Sequence, residues 1–360
     1  MKKSGSFFIL ILFLCLNQCS VKEANIQPIE RSVGKLQISI DPRMELLTAV
    51  QIVSDYPFIH RDYPYCHDIL NFFQPFSSKD AVTITNSLME NYGFGADAPV
   101  HFMLHLSQPP KLEIQNEIIN DLLERSGGID NLEQYRKAMQ QFAKISNFEG
   151  FWNNKIPFYN QILDMFVTEL GEKDMINILE DFYNDTQESY NLIIAHPFAG
   201  GFASRFPGNT GKYHVYACLF ASLKDNKPHL DFNIIADFLW HEFSHSFVNP
   251  LTEKYANKVA SLDHLFEPIK EQMSRQFYPE WDVCLNEHIV RAINVRLFEL
   301  HLDSNSSKSL LENELSQGFI YIEPLIEKLK DFENKRDRDN ITFSDFYPEL
   351  LTVLDSLQIK

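Results

Sequence analysis

His241-Glu242-Phe243-Ser244-His245 constrains this chain more than anything else in it, because it sets two imidazoles four residues apart with a carboxylate beside the first. Positions i and i+4 share one face of a helix, so His241 and His245 can hold one Zn²⁺ while Glu242 reaches a water on that ion. The segment must then be helical, and its surroundings agree. Asp231 or Asn233 offers an N-cap, and Ile234, Ile235, Phe238 and Leu239 recur at helical spacing. Pro250 is expected to end the helix at Asn249. Leu239, Trp240, Phe243, Ser244, Ser246 and Phe247 carry no charge, as expected of a helix buried beneath a cleft. As ordinary core histidines, His241 and His245 would enclose a buried glutamate with no compensating charge.

Catalytic zinc usually has three protein ligands and one open position. A third histidine close behind the motif would give HExxHxxGxxH, but Val248 and Leu251 stand where Gly and His belong, which excludes that arrangement. Further on, Glu280 to Leu300 has strong helical propensity, with Leu285, Ile289, Ala292, Ile293 and Leu297 available for one packed face. Within it, Asn286-Glu287 resembles the Asn-Glu opening of the glutamate-ligand helix in the gluzincin group of metallopeptidases. The resemblance implies that Glu287 is the third ligand. His288 competes for that role, but adjacent helical residues project about 100° apart, so only one of the two can face the ion. The chain departs from the gluzincin pattern at Arg291, where thermolysin-like enzymes carry an aspartate that orients a metal-binding histidine. That orienting role then falls elsewhere or is absent, and Arg291 is also placed to pair with Glu287 at i+4.

The wider resemblance is to a family of secreted bacterial proteins of unknown function. It rests on His241 to Pro250, on Gly93-Phe-Gly-Ala-Asp-Ala-Pro99, on Gly200-Gly-Phe and on the Glu287 to Arg291 segment, and extends over most of the chain after about residue 35. It implies a zinc peptidase fold with no assigned substrate. In such a site Zn²⁺ lowers the pKa of water and polarises a carbonyl, while Glu242 takes a proton and later delivers it to the leaving amine. Candidates to contact the substrate or its developing oxyanion are His288, Arg291, Tyr255, Tyr278 and Tyr321. Asp237 and Asn249 are candidates to orient the histidines.

Met1-Lys-Lys precedes an apolar run from Phe7 to Leu14, too short to span a bilayer, and reads as an export signal. Leu16-Asn-Gln-Cys19 places Cys19 where a lipoprotein signal peptidase would leave a lipidated cysteine; ordinary secretion with Cys19 incidental is the alternative. With Cys19 lipidated, Cys66, Cys218 and Cys284 remain, enough for at most one disulfide. The formal charge of −17 repels nucleic acid and anionic lipid, so contact with a membrane is expected through the amino-terminal lipid alone.

Periodicity predicts a strand over 35–41, helices over 42–54, 64–74, 78–92, 96–106, 111–126, 130–146 and 156–184, then strands over 190–195 and 213–221. The expected organisation is a signal peptide at 1–18, a tether at 19–34, a helical amino-terminal lobe at 35–186 and a zincin-like catalytic lobe with a small sheet at 187–360. The fold class is α+β, mostly helical. In zincins the strand ahead of the HExxH helix pairs with extended substrate, which points here to Tyr213–Ala221, with Gly200-Gly201-Phe202 as cleft wall. The expected protein is an exported, lipid-anchored zinc metallopeptidase of the cell envelope, acting on peptide or protein. A catalytically inactive binding or assembly lipoprotein and a zinc hydrolase of a non-peptide amide are the alternatives.

Overall fold

A computed structural model describes residues 25–59, 63–195, 201–219, 222–224, 227–229, 231–355 and 357. The expected leader at 1–18, Cys19, the tether up to residue 24 and Gly200 lie outside them. The chain is α+β and mostly helical, built around a mixed sheet of five strands. β1 (Ile29–Val33) and β2 (Leu36–Ile40) form an antiparallel hairpin whose turn needs the left-handed backbone of Gly34, φ +56°. β3 (Ser189–Ile194), β4 (Phe202–Pro207) and β5 (Tyr213–Leu219) complete the sheet in the order β1-β2-β3-β5-β4. β2, β3 and β5 are parallel, and β4 runs antiparallel to β5 at the edge. One sheet therefore takes strands from both sides of residue 186, and its central strand β3 buries Tyr190, Leu192, Ile193 and Ile194.

Side chains alternate between the two faces. Tyr190, Val215 and Arg205 are in register and face the HExxH helix, where the Tyr190 and Phe243 rings lie 5.3 Å apart. Phe206 faces the other way, onto His101 and His105 of the helix Asp97–Leu104.

The structure corrects several local expectations. Tyr213–Leu219 is not the edge strand, because β4, formed by a stretch for which no strand was expected, lies outside it. The helix expected over 111–126 is confined to Asn120–Ser126, and Ile114 instead bridges to Leu106. The helix expected over 156–184 is two, Phe148–Leu170 and Met175–Tyr183, separated at Gly171 with φ +59°. Pro250 does not end the HExxH helix, which runs from Phe232 to Lys254. Proline leaves the Ser246 carbonyl without its intrahelical donor, and the Gln187 side chain donates to it at 3.2 Å. Cys66, Cys218 and Cys284 are buried free thiols. Among the described residues no helix is long and apolar enough to cross a membrane.

Three amino-terminal helices meet at a buried carboxyl. Glu45 accepts from Tyr65 and, at 3.0 Å, from Tyr159, while the two phenols lie 2.7 Å apart. Burial raises the Glu45 carboxyl to about 7 although both phenols pull the other way. Unfolded, it ionises near 4.5. Between these values the folded chain holds the extra proton, so its stability contribution is complete below about pH 4.5 and is lost as pH rises through about 7. Urea titrations at pH 5 and 8 should show wild type losing up to about 3 kcal/mol relative to Glu45→Gln over that interval. A pH-independent difference between the two proteins would exclude the linkage.

Candidate metal centre

Asp231 caps the HExxH helix, its carboxylate accepting from the Asn233 N–H at 2.8 Å. The apolar residues around the motif fix the roll of the helix: Ile235, Leu239, Phe243 and Phe247 are buried, and the Trp240 indole donates to the Met175 carbonyl at 3.1 Å. That roll leaves His241, Glu242, His245 and Asn249 partly exposed on one side.

A second helix, Trp281–His301, packs against it. Asp237 meets Asn294, His241 and His245 meet Glu287, and Thr252 meets Asn286, so the two helices are antiparallel. Asn294 donates to the Asp237 carbonyl at 3.0 Å, and Thr252 also bonds the buried Tyr347 hydroxyl at 2.6 Å. These bonds lock the sliding of one helix along the other, which is what sets Glu287 opposite the histidines.

His241 Nε2 and His245 Nε2 lie 3.3 Å apart; Glu287 places Oε1 3.3 Å from the latter and Oε2 3.5 Å from the former. For metal–ligand bonds of about 2.0–2.1 Å the edge of a tetrahedron is about 3.3–3.4 Å; the imidazole pair has that spacing, and each Glu287 oxygen stands near it from one of the two rings. Among the described residues this is the one group of three or more His, Cys, Asp or Glu residues able to hold a metal ion.

Second contacts fix the donors. Asn249 Oδ1 lies 3.1 Å from His245 Nδ1, which directs Nε2 toward Glu287. Arg291 holds Glu287 at 3.1 Å and the buried Glu314 at 2.6 Å, and its guanidinium stacks 4.2 Å from the Phe319 ring centroid. The orienting carboxylate missing at position 291 is thus replaced by an arginine that orients the ligand carboxylate itself. Asp237, the other orienting candidate, bonds Asn294.

The electrostatics favour a cation. Burial pushes the Glu287 carboxyl up, but His241, His245 and Arg291 outweigh it and hold it well below the usual carboxylate range. Burial lowers His241 to about 3. Burial acts on His245 in the same direction, yet the hydrogen bond and charge of Glu287 raise it to about 8. At neutrality the imidazole pair therefore carries at most one positive charge, and His241 is the neutral ring with a free lone pair. Burial lifts Glu242 to about 7 and Asp237 to about 6. Arg291 pairs with Glu287 and Glu314 and also acts on Glu242 and Asp237, so carboxylates outnumber the guanidinium they share, an excess that a divalent ion would offset.

Glu242 is not among the converging donors; it lines a cavity of about 340 Å³ together with His245, Asn249, Ala203, Ser204 and Arg205. The free edge of β4 thus borders the same space as the HExxH carboxylate. His288 points elsewhere: it is fully buried, its Nδ1 lies 2.8 Å from the Cys284 carbonyl, and its ring packs on Phe319 and Tyr321. Tyr321 donates to the Leu265 carbonyl at 2.6 Å and Tyr255 stacks on Tyr347, so neither is brought to the triad. Tyr278 is brought close, its hydroxyl 3.4 Å from Arg291 Nη2. Sequence reasoning missed Glu314, Arg205 and His101, another lining residue of the cavity. The last had a signal, since His101-Phe-Met-Leu-His105 repeats the i, i+4 histidine spacing.

A family model described as a domain of unknown function, DUF4932, matches residues 36–353. No curated protein and no solved structure matches the chain.

Elemental analysis of the purified protein should find close to one zinc per chain, and His241→Ala or His245→Ala should remove most of it. Glu287→Ala should weaken zinc affinity markedly while His288→Ala leaves it nearly intact. Zinc retained at the wild-type level in both His241→Ala and His245→Ala would exclude this centre.

Proposed function

The chain belongs to that family, and we propose that it is a zinc-dependent peptidase with a zincin-like catalytic lobe, exported to the cell envelope and anchored there by lipid on Cys19. The observation that carries the reading is the convergence of His241, His245 and Glu287 beside a cavity lined by Glu242 and by Ala203, Ser204 and Arg205 of β4, the outer strand among the described residues. The donor set of two imidazole nitrogens, His245 giving up its extra proton as the ion binds, and one carboxylate suits zinc, which usually keeps a further position for water or substrate. When bound, zinc supplies a Lewis acid that lowers the pKa of water and polarises a carbonyl.

The protein's own groups account for the remaining chemistry. A carboxyl that titrates at about 7, as Glu242 does, accepts a proton from the attacking water and returns it to the leaving nitrogen near neutral pH. Asn249 fixes the His245 ring, and Arg291 with Glu314 fixes Glu287, so the donors need no reorganisation during turnover. Among the described residues β4 is the outer strand of the sheet, and such an edge suits an extended peptide backbone as an added strand. The substrate is therefore peptide or protein, and the charge of −17 disfavours nucleic acid.

Glu242→Gln preserves shape and zinc but removes the base, so cleavage of an unbiased peptide library should fall at least about 10² to 10⁴-fold. Hydrolysis that persists in this variant with zinc bound would falsify the mechanism. Equal silence of wild type and variant, both holding zinc, would point to a binding protein. For the anchor, Cys19→Ser should move the protein from the membrane to the soluble fraction on cell fractionation, and an unchanged distribution would remove the lipid from the account.

A further inference from the structure

His101 belongs to the amino-terminal helix Asp97–Leu104, far in sequence from the HExxH motif. Its ring and that of His105 pack against Phe206 of β4, with centroids 5.8 and 4.9 Å away. Phe206 lies on the sheet face opposite the HExxH helix, yet His101 lines the same cavity as Glu242 and His245. A single cavity reaches both faces only by passing round the free edge of the sheet, and β4 is that edge. His101 therefore stands across the substrate-pairing edge from Glu242.

His105, one turn on, is fully buried, whereas His101 is partly exposed to the cavity. Among the described residues the His101 ring packs on the His105 and Phe206 rings and forms no hydrogen bond. Asp97, one turn back, and Arg125 act on its charge without bonding the ring, so this half-buried imidazole facing a cavity keeps its hydrogen-bonding capacity free for whatever fills that cavity.

We infer that His101 is a catalytic residue of the hydrolysis proposed above, donating a ring N–H to the oxygen of the substrate carbonyl as that oxygen gains charge. The inference rests on that peptidase reading. In the addition step the water oxygen bonds to the carbonyl carbon, the carbonyl π pair moves onto its oxygen, and Glu242 takes the water proton. The carbon–nitrogen bond then breaks, its electron pair leaving with the nitrogen, which receives the proton from Glu242. His101 transfers no proton in either step; its donated hydrogen bond strengthens as the charge develops. Burial lowers its pKa, so at neutral pH the ring is uncharged, with one N–H to donate.

The test uses full-length, zinc-loaded protein with His101→Phe, His101→Ala and His101→Gln. Phe keeps a ring against Phe206 without a donor, and Gln keeps an N–H donor without the ring. Loss of an oxyanion donor lowers kcat by about 10² to 10³, so Phe and Ala should lose that much with KM little changed, and Gln should recover part of it. Zinc content and Tm should match wild type. Wild-type kcat in His101→Phe overturns the assignment, as does a loss carried by KM alone.

Binding of a randomised set of phosphonamidate tripeptides, whose tetrahedral P–O⁻ mimics the charged oxygen, separates this inference from the one beneath it. Weaker binding to His101→Phe than to wild type supports the assignment. Equal binding overturns His101 and leaves the peptidase reading standing. Zinc-loaded wild type that neither cleaves nor binds overturns both.

Discussion

A carboxylate buried against two imidazoles must be held in place by charge, and in this protein Arg291 does the holding. It stands between Glu287 and Glu314, and removing it would leave two carboxylates in a low-dielectric interior with no guanidinium between them. With the register of the helix Trp281–His301 set by Asn294 on Asp237 and Asn286 on Thr252, Arg291 fixes the carboxylate that this register brings to the histidines. His288, one position on, turns into a pocket of aromatic rings.

The second determinant is the sheet. β4 is the outer strand among the described residues and borders the space where Glu242 and His245 lie, and the helix Asp97–Leu104 reaches the same space through His101. The cleft is thus assembled from segments far apart in sequence. His101, Arg205, Glu242 and Glu287 share one neighbourhood through the sheet and the antiparallel helix pair, not through proximity in the chain.

This explains what the sequence made legible. The HExxH helix, the Asn-Glu helix and the donor set could be read locally, since helical periodicity and motif spacing are properties of neighbouring residues. β4 could not: Phe202–Pro207 is short, bounded by Gly201, Pro207 and Gly208, and becomes a strand by pairing with β5. Pro250 is a sound stop signal in isolation, overridden here because Gln187, distant in sequence, supplies the missing donor. Two of the three tyrosine candidates are held elsewhere for a related reason. Tyr255 and Tyr321 are committed to Tyr347 and to the Leu265 carbonyl, partners that no local pattern announces. The i, i+4 pair of His101 and His105 was visible, but nothing local distinguished it from a pair of core histidines.

The parallel pairing of β2 with β3 joins residues about 150 positions apart, Leu36 with Tyr190 among them. Contacts of such long range are slow to form, since the intervening chain must be ordered before they add stability. A nascent chain that has emerged only as far as its amino-terminal helices carries the β1–β2 hairpin with one side of β2 unpaired, an open edge able to recruit any other extended segment. Completion of the sheet and assembly of the cleft therefore belong to one late, cooperative event, in which β3 arrives, β2 is covered, and β5 and β4 add outside them.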